Sequence, residues 1–248
     1  MRISVLLACV LTATAIASAQ HDAPHWDYAG KYGPTNWGKL DPAFRACSNG
    51  KEQSPIDIRG AHLNKALQPI EFHYLAGGVT IENNGHTVMV TPHPGSYIVA
   101  GGLRYDLQQF HFHHPAEEAV KGKLDDMDVH LVHKSADGKL AVVGVRFRED
   151  PNTPNAALAT LWAQMPTQVG QKNDIPLIDP AGLLPRDRGY WTFVGSLTTP
   201  PCTEGVRWFV MEQDLPISRE QLRYFGQMYK IDSRPVQDAH GRRIEANE

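Results

Sequence analysis

Seven short stretches of the chain alternate between apolar and polar residues with a period of two. That spacing is typical of strands that bury one face. The stretches are 79–82, 87–91, 107–113, 129–133, 140–147, 190–194 and 206–211. Turn-forming clusters such as Asn83-Asn84-Gly85 and Ala136-Asp137-Gly138 separate them. Many short strands joined by turns predict a mostly antiparallel sheet.

Helical patterns are few. The sequence predicts helices over 155–165 and 218–228, and in the second of these Ser218 and Gln221 have the spacing of a capping box. No repeat, low-complexity tract or linker divides the chain after its N-terminal segment. We therefore expect one mostly β (α+β) domain over 20–248, built on a large central sheet with a few short peripheral helices.

The N-terminal segment, 1–19, differs from the rest of the chain. Arg2 precedes an apolar run over 3–16, and Ala17-Ser18-Ala19 closes it with small residues. This order is typical of a cleaved secretory signal peptide. A membrane helix is the weaker alternative, because the run is shorter than the roughly 18 residues that span a bilayer. Lipid attachment at Cys9 is a second alternative. We expect export, with no stable membrane insertion after cleavage.

The composition excludes one class of partner, nucleic acid bound through a basic surface, and its histidine and cysteine counts are the most informative. The chain has 24 Lys and Arg against 27 Asp and Glu, which excludes a nucleic-acid binder that works through a basic surface. It also has 12 His and 3 Cys. Loss of the signal peptide would leave Cys47 and Cys202, and an even pair in an exported protein is typical of a disulfide. Two free thiols are the alternative.

The histidines are most informative in the predicted strand 107–113. Alternate side chains of a strand share a face, so His111 and His113 project one way together with Gln109. Phe110 and Phe112 project the other way, towards apolar packing. Two imidazoles at this spacing can reach one ion.

A second strand, 129–133, supplies a third imidazole. His130 shares a face with Asp128 and Val132, and a polar turn between the two strands predicts that they pair antiparallel. Three neutral imidazoles favour a catalytic Zn²⁺ site with one open position, because structural zinc sites use four protein ligands and prefer thiolates. His114 and His133 have the opposite parity and are assigned no catalytic role.

Ligating histidines usually donate their second N–H to a fixed acceptor. Gln109 is placed to accept from His111 through its amide oxygen, and Asp128 to accept from His130 through its carboxylate. A His-x-His pair alone is more often an ordinary pair of strand histidines. The third histidine and these two acceptors favour the metal site.

Six motifs, in chain order, resemble those of the α-class carbonic anhydrases, most closely the exported bacterial members. They are Gln-Ser-Pro-Ile-Asp-Ile at 53–58, Asn-Asn-Gly-His at 83–86, Gln-Phe-His-Phe-His at 109–113, Asp-Val-His-Leu-Val-His at 128–133, Gly-Ser-Leu-Thr-Thr-Pro-Pro-Cys-Thr-Glu at 195–204 and Arg-Pro-Val-Gln at 234–237. The resemblance extends from Trp26 to Ile244. It implies a twisted, mostly antiparallel sheet with Zn²⁺ at the base of a conical cleft.

The resemblance also implies the reaction, which is reversible hydration of CO₂ to bicarbonate and a proton by a zinc-bound hydroxide. The same hydroxide could hydrolyse esters as a side activity. It further implies that Cys47 pairs with Cys202 and that the protein is periplasmic. Exported members often pair, so the suggested assembly is a homodimer.

Four residues receive roles from the resemblance. Thr198 matches a threonine that accepts a hydrogen bond from the hydroxide and donates its own hydroxyl proton to a buried carboxylate, which falls on Glu117. Thr199 matches a residue that contacts bicarbonate. His86 matches the proton shuttle, a role that suits an imidazole because its unperturbed pKa is about 6.5. By spacing alone, Glu117 and His86 would be surface residues and Thr199 a turn residue.

An apolar wall for CO₂ is a further implication, since the substrate carries no charge and no hydrogen-bond donor. The matching residues are Val132, Val142, Leu197, Val206 and Trp208. Ordinary sheet core is the alternative interpretation of the same residues.

The chain departs from the family pattern at a few positions, and none is a metal ligand. Asp128 stands where Glu is usual, so a shifted strand or a bridging water would be needed to reach His130. Glu118 stands where a histidine is common, and Met89 replaces a typical polar amide. Two rival functions remain at this stage, a binding module on the same fold and a zinc hydrolase that acts mainly on esters.

Overall fold

The computed structural model describes residues 24–248, and the predicted signal peptide lies outside the described residues. The strands are β1 Asp57–Ile58, β2 His62–Leu63, β3 Glu71–His73, β4 Gly77–Asn83, β5 Val88–Pro92, β6 Tyr97–Ala100, β7 Leu103–His113, β8 Ala119–Val120, β9 Met127–Lys134, β10 Leu140–Glu149, β11 Lys172–Ile178, β12 Tyr190–Ser196, β13 Glu204–Met211, β14 Leu215–Ile217 and β15 Glu245–Ala246. The α-helices are α1 Trp37–Leu40, α2 Ala46–Asn49, α3 Ala156–Trp162 and α4 Arg219–Met228. Short 3-10 helices cover Gly30–Tyr32, Pro42–Phe44 and Pro180–Leu183.

One sheet of 13 strands contains most of these elements. Its main path is β11-β4-β5-β7-β9-β10-β13-β12-β15-β2, while β6 links β3 to β7 and β14 pairs with β10. Most pairs are antiparallel, but β13 and β14 run parallel to β10, and β2 runs parallel to β15. The predicted mostly β fold with few short helices is confirmed. The sheet is mixed, because strands distant in sequence pair at its centre and at one end.

All seven predicted strands correspond to strands of this sheet, namely β4, β5, β7, β9, β10, β12 and β13. The two predicted helices correspond to α3 and α4. Asn155 caps α3 by accepting the Leu158 N–H at 3.1 Å. The capping box of Ser218 and Gln221 opens α4. Helix α3 ends at Trp162, three residues before the predicted boundary at 165.

The two faces of the central strands differ in chemistry. Phe110 and Phe112 of β7 are fully buried in the main apolar core. The Phe112 ring lies 4.9 Å from Trp162 of α3 and 6.2 Å from Phe225 of α4. Helices α3 and α4 therefore cover the phenylalanine face, which leaves the alternate histidine positions on the opposite face.

A second apolar cluster lies on the histidine face. Its buried members include Val132, Val142, Val206 and Trp208. The Trp208 ring meets His130 edge-on at 4.9 Å, so this cluster lies directly against the histidines.

A disulfide joins Cys47 to Cys202 across 155 positions of sequence, as expected. Both cysteines are buried with Trp37 and Phe44 in a third apolar cluster. Within 24–248, no helix is long and apolar enough to cross a bilayer.

Candidate metal centre

Three imidazoles converge where β7 pairs with β9. His111 is directly opposite His130 in the register, and His113 follows on the same face. Ring centroids are 4.9 Å apart for His111 and His113, 4.7 Å for His113 and His130, and 5.5 Å for His111 and His130. One nitrogen from each ring lies within 4.8 Å of the other two. Strand parity and antiparallel pairing thus bring together the set predicted from sequence.

Two of the rings are oriented by short hydrogen bonds through Nδ1. The His111 Nδ1 lies 2.8 Å from the Gln109 amide oxygen, which is the acceptor expected from sequence. The His113 Nδ1 lies 2.7 Å from the backbone carbonyl of Asp232. Sequence reasoning missed this second acceptor, because any residue could supply the carbonyl and the contact spans 119 positions.

His130 is oriented through the opposite nitrogen. Its Nε2 lies 3.2 Å from Glu118 Oε2 and 3.4 Å from Asp128 Oδ2. Its Nδ1 is turned towards Glu117, whose Oε2 is 3.9 Å away. Burial alone would lower the pKa of His130, but the carboxylates of Asp128 and Glu118 raise it well above 6.5. Glu118, and not the Asp128 expected from sequence, provides the oxygen nearer to this nitrogen.

The donor set fits a zinc ion. Nitrogen donors in this number suit Zn²⁺ with one further position open. The His113 Nε2 is buried and has no hydrogen-bond partner among the described residues. Burial, together with the neighbouring His113 and His130, lowers the pKa of His111 well below 6.5. This shift favours the unprotonated form of His111, which is the form that binds a metal.

A cavity of about 160 Å³ adjoins the histidines. Its lining consists of Gln109, His111, His130, Val132, Val142, Leu197, Thr198, Thr199 and Trp208. Val206 is the one predicted wall residue that does not line it. Val206 packs behind the wall in the same apolar cluster, with 1% of its surface exposed. The cavity is thus apolar on one side and carries threonine and histidine groups on the other.

Glu117 is fully buried beside the imidazoles. Its Oε1 accepts the backbone N–H of Arg234 at 2.6 Å. Its Oε2 has no hydrogen-bond partner among the described residues and lies 3.7 Å from His113 Nε2. Burial raises the pKa of Glu117, although His113 and His130 oppose that shift. Thr198 is also buried, and in the described part of the chain no hydrogen bond joins it to Glu117.

His86 lies outside the cavity lining. Its ring stacks on Trp26 with a centroid separation of 3.7 Å and an interplanar angle of 7°. The ring is half-buried, and this burial lowers its pKa from 6.5. No local pattern of residues places Trp26 beside His86, since the two are 60 positions apart.

The threonine loop is fixed at several points. The Cys202 N–H donates to the Thr199 carbonyl at 2.8 Å, and the Leu197 N–H donates to the Thr203 carbonyl at 3.0 Å. The disulfide attaches this loop to Cys47. The buried Arg234 guanidinium donates to the Cys47 carbonyl at 2.9 Å. The loop that carries the two threonines is therefore held against the rest of the protein by covalent and polar contacts.

Comparison with known proteins agrees with this geometry. Residues 32–248 match the family model of the eukaryotic-type carbonic anhydrases. A carbonic anhydrase of Pectobacterium carotovorum is 42% identical over 98% of this chain and 99% of its own length. The α-carbonic anhydrase of Thermovibrio ammonificans, solved with the inhibitor sulfanilamide, superimposes with a TM-score of 0.87 at 40% identity, covering 90% of this chain and all of that one.

Dioscorin, solved in complex with ascorbate, is also similar. Its TM-score is 0.84 at 30% identity, over 90% of this chain and 97% of that one. The fold and the histidine face define an α-class enzyme of the carbonic anhydrase type. The chain belongs to the α-carbonic anhydrase family.

Proposed function

We propose that this protein is a zinc-dependent carbonic anhydrase that interconverts CO₂ with bicarbonate and a proton. The observation that carries the proposal is the set of three imidazole nitrogens within 4.8 Å of one another beside an apolar-walled cavity. His111, His113 and His130 would hold the ion. Zinc bound there would act as a Lewis acid that makes water nucleophilic near neutral pH, as is known for this enzyme family.

The surrounding residues suit the remaining tasks. Val132, Val142, Leu197 and Trp208 form a wall that favours a small apolar molecule over water. Thr198 would exchange hydrogen bonds with the attacking oxygen and with Glu117, whose buried Oε2 has no hydrogen-bond partner within residues 24–248. Thr199 would contact the bicarbonate product. Both threonines line the cavity, and Glu117 is buried beside the imidazoles.

His86 would carry the proton to solvent. Its half-buried ring on Trp26 has a pKa below 6.5, so it would be largely neutral at pH 7 and able to accept a proton. His86→Ala should reduce CO₂ hydration in weak buffer, and added imidazole should restore part of the rate. An unchanged rate at low buffer concentration would remove this role.

The principal test joins metal analysis with a rate measurement. The wild-type protein should contain about one zinc per chain and hydrate CO₂ in a stopped-flow indicator assay. His111→Ala should lose both zinc and activity, whereas His62→Ala, at an exposed position on β2, should retain both. Zinc binding without the His111 side chain would contradict the ligand assignment.

A protein that bound no zinc and hydrated no CO₂ would support the binding-module alternative. Preferential ester hydrolysis would support the zinc-hydrolase alternative. The three converging imidazoles and the small apolar cavity favour CO₂ over both.

We also propose export to the periplasm. The Cys47–Cys202 disulfide supports it, because such bonds persist in oxidising compartments. Cell fractionation of the native host, with N-terminal sequencing, should find a periplasmic protein that begins near residue 20. A protein retained in the cytoplasm with an intact N-terminus would contradict the proposal. Size-exclusion chromatography with light scattering would test the homodimer.

A further inference from the structure

Two buried carboxylates compete for the single Nε2 proton of His130. Glu118 Oε2 lies 3.2 Å from that nitrogen, and Asp128 Oδ2 lies 3.4 Å from it. Both side chains have about 1% of their surface exposed. Because one N–H can make only one strong hydrogen bond, the two carboxylates cannot serve His130 equally.

Asp128 already has a better partner. Its Oδ2 accepts the backbone N–H of Glu117 at 2.7 Å, which is shorter than its approach to His130. Asp128 therefore fixes the position of Glu117, whose other contacts lead to Arg234 and to the imidazoles. The backbone contact is the shortest polar contact of Asp128, and its Oδ1 is buried without a hydrogen-bond partner among the described residues.

Within the described structure, the Glu118 side chain has no second hydrogen-bond partner comparable to the Glu117 N–H that Asp128 accepts. Among residues 24–248, it forms no ion pair with Lys or Arg, and its only hydrogen bond is to His130. Its Oε1 is buried and has no hydrogen-bond partner in the described part of the chain. Burying a carboxylate is costly unless it is hydrogen-bonded, so the contact with His130 is what makes this position tolerable for Glu118.

We propose that Glu118 is the positioning residue for His130 and that Asp128 instead positions Glu117. The inference rests on the proposed function, in which His130 holds zinc. It reassigns the acceptor expected from sequence and gives the two neighbouring carboxylates separate tasks.

Zinc release provides the test. The metal-loaded wild type, Glu118→Gln and Asp128→Asn would each be mixed with excess chelator, and zinc transfer followed by absorbance. Acceptors beyond the ligands typically change metal affinity by about 10- to 100-fold, so Glu118→Gln should release zinc about 10- to 100-fold faster. Asp128→Asn should change the release rate much less. Equal release by wild type and Glu118→Gln, or a larger effect of Asp128→Asn, would overturn the proposal.

Replacing zinc with cobalt adds a spectroscopic measurement that a general loss of stability would not change. The visible spectrum of the Co²⁺ form should change in Glu118→Gln, because the third imidazole would turn, and should stay close to wild type in Asp128→Asn. A spectrum altered only in Asp128→Asn would count against the assignment.

A measurement on the wild type tests the same assignment even if the variants fail to fold. In the zinc-loaded protein, NMR should show the Nε2 proton of His130 with stronger cross-relaxation to the Glu118 methylenes than to those of Asp128. The reverse order would overturn the proposal.

A second zinc per wild-type chain that Glu118→Gln removes would also overturn the proposal, because a metal would then occupy the carboxylate pair. If the wild type binds no zinc, that result would instead contradict the proposed function.

Discussion

The completely buried His133 on β9 should make stability fall in acid. Its Nε2 lies 2.8 Å from the Tyr74 hydroxyl. Burial lowers the pKa of His133 from 6.5 to about 3, and the backbone of Leu131 and Ala141, followed by the Asp106 carboxylate, opposes the shift only in part. The unfolded chain therefore takes up a proton near pH 6.5, while the folded protein resists it until about pH 3.

The sign and size follow from that difference. The contribution of neutral His133 to stability is fully present above pH 6.5 and decreases as pH falls towards 3. At about 1.4 kcal/mol for each pKa unit, the loss between about pH 7.5 and pH 5 is about 2 kcal/mol. The loss of stability would approach about 5 kcal/mol near pH 3.

Comparison with His133→Gln isolates this effect, since glutamine can still hydrogen-bond Tyr74 but does not titrate. Urea unfolding would be followed by tryptophan fluorescence at about pH 7.5 and pH 5, with both proteins at equal zinc content so that metal release cancels. The free-energy difference between wild type and variant should shift by about 2 kcal/mol in favour of the variant at the lower pH.

The exposed His62→Gln serves as the control and should show no such shift. If the difference between wild type and His133→Gln is the same at both pH values, the folded-state pKa of His133 is not depressed and the reasoning fails.

Three further predictions concern stability and use the same unfolding assay. Replacing Cys47 and Cys202 with alanine opens a loop of 155 positions and should cost at most about 5 kcal/mol; an unchanged urea midpoint would contradict this. Leu161→Ala in α3, where the side chain is fully buried, should cost about 2–5 kcal/mol, and a loss below 1 kcal/mol would show that the core collapses around the gap. Arg234→Met removes the donor to three buried oxygens at about 1–3 kcal/mol each, whereas the exposed Arg223→Met should stay within about 0.5 kcal/mol.

The strands and the three histidines were predictable because both depend on short-range periodicity. Residues two apart on a strand must share a face, so His111, His113 and Gln109 had to lie together once β7 formed. The polar turn before β9 then indicated the partner that carries His130. Core positions such as Phe110 and Phe112 followed from the same alternation.

Other parts of the site were not predictable from local pattern. The carbonyl of Asp232 has no side-chain signature, although it orients His113. Asp128 was the acceptor expected for His130, and only the distances and the competing Glu117 N–H show that Glu118 lies nearer. Val206 was expected on the cavity wall, and the packing of β13 leaves it one layer behind.

The sequence by itself determined which residues share a face, because a strand has a fixed period of two and one buried face. It therefore determined the fold class and the composition of the histidine cluster. The tertiary structure alone decided which oxygens His113 and His130 reach, because the His113 contact joins segments 119 positions apart and the His130 contacts differ by a few tenths of an ångström. Whether a hydrogen bond forms depends on distance differences of that size, and no local pattern of residues encodes them.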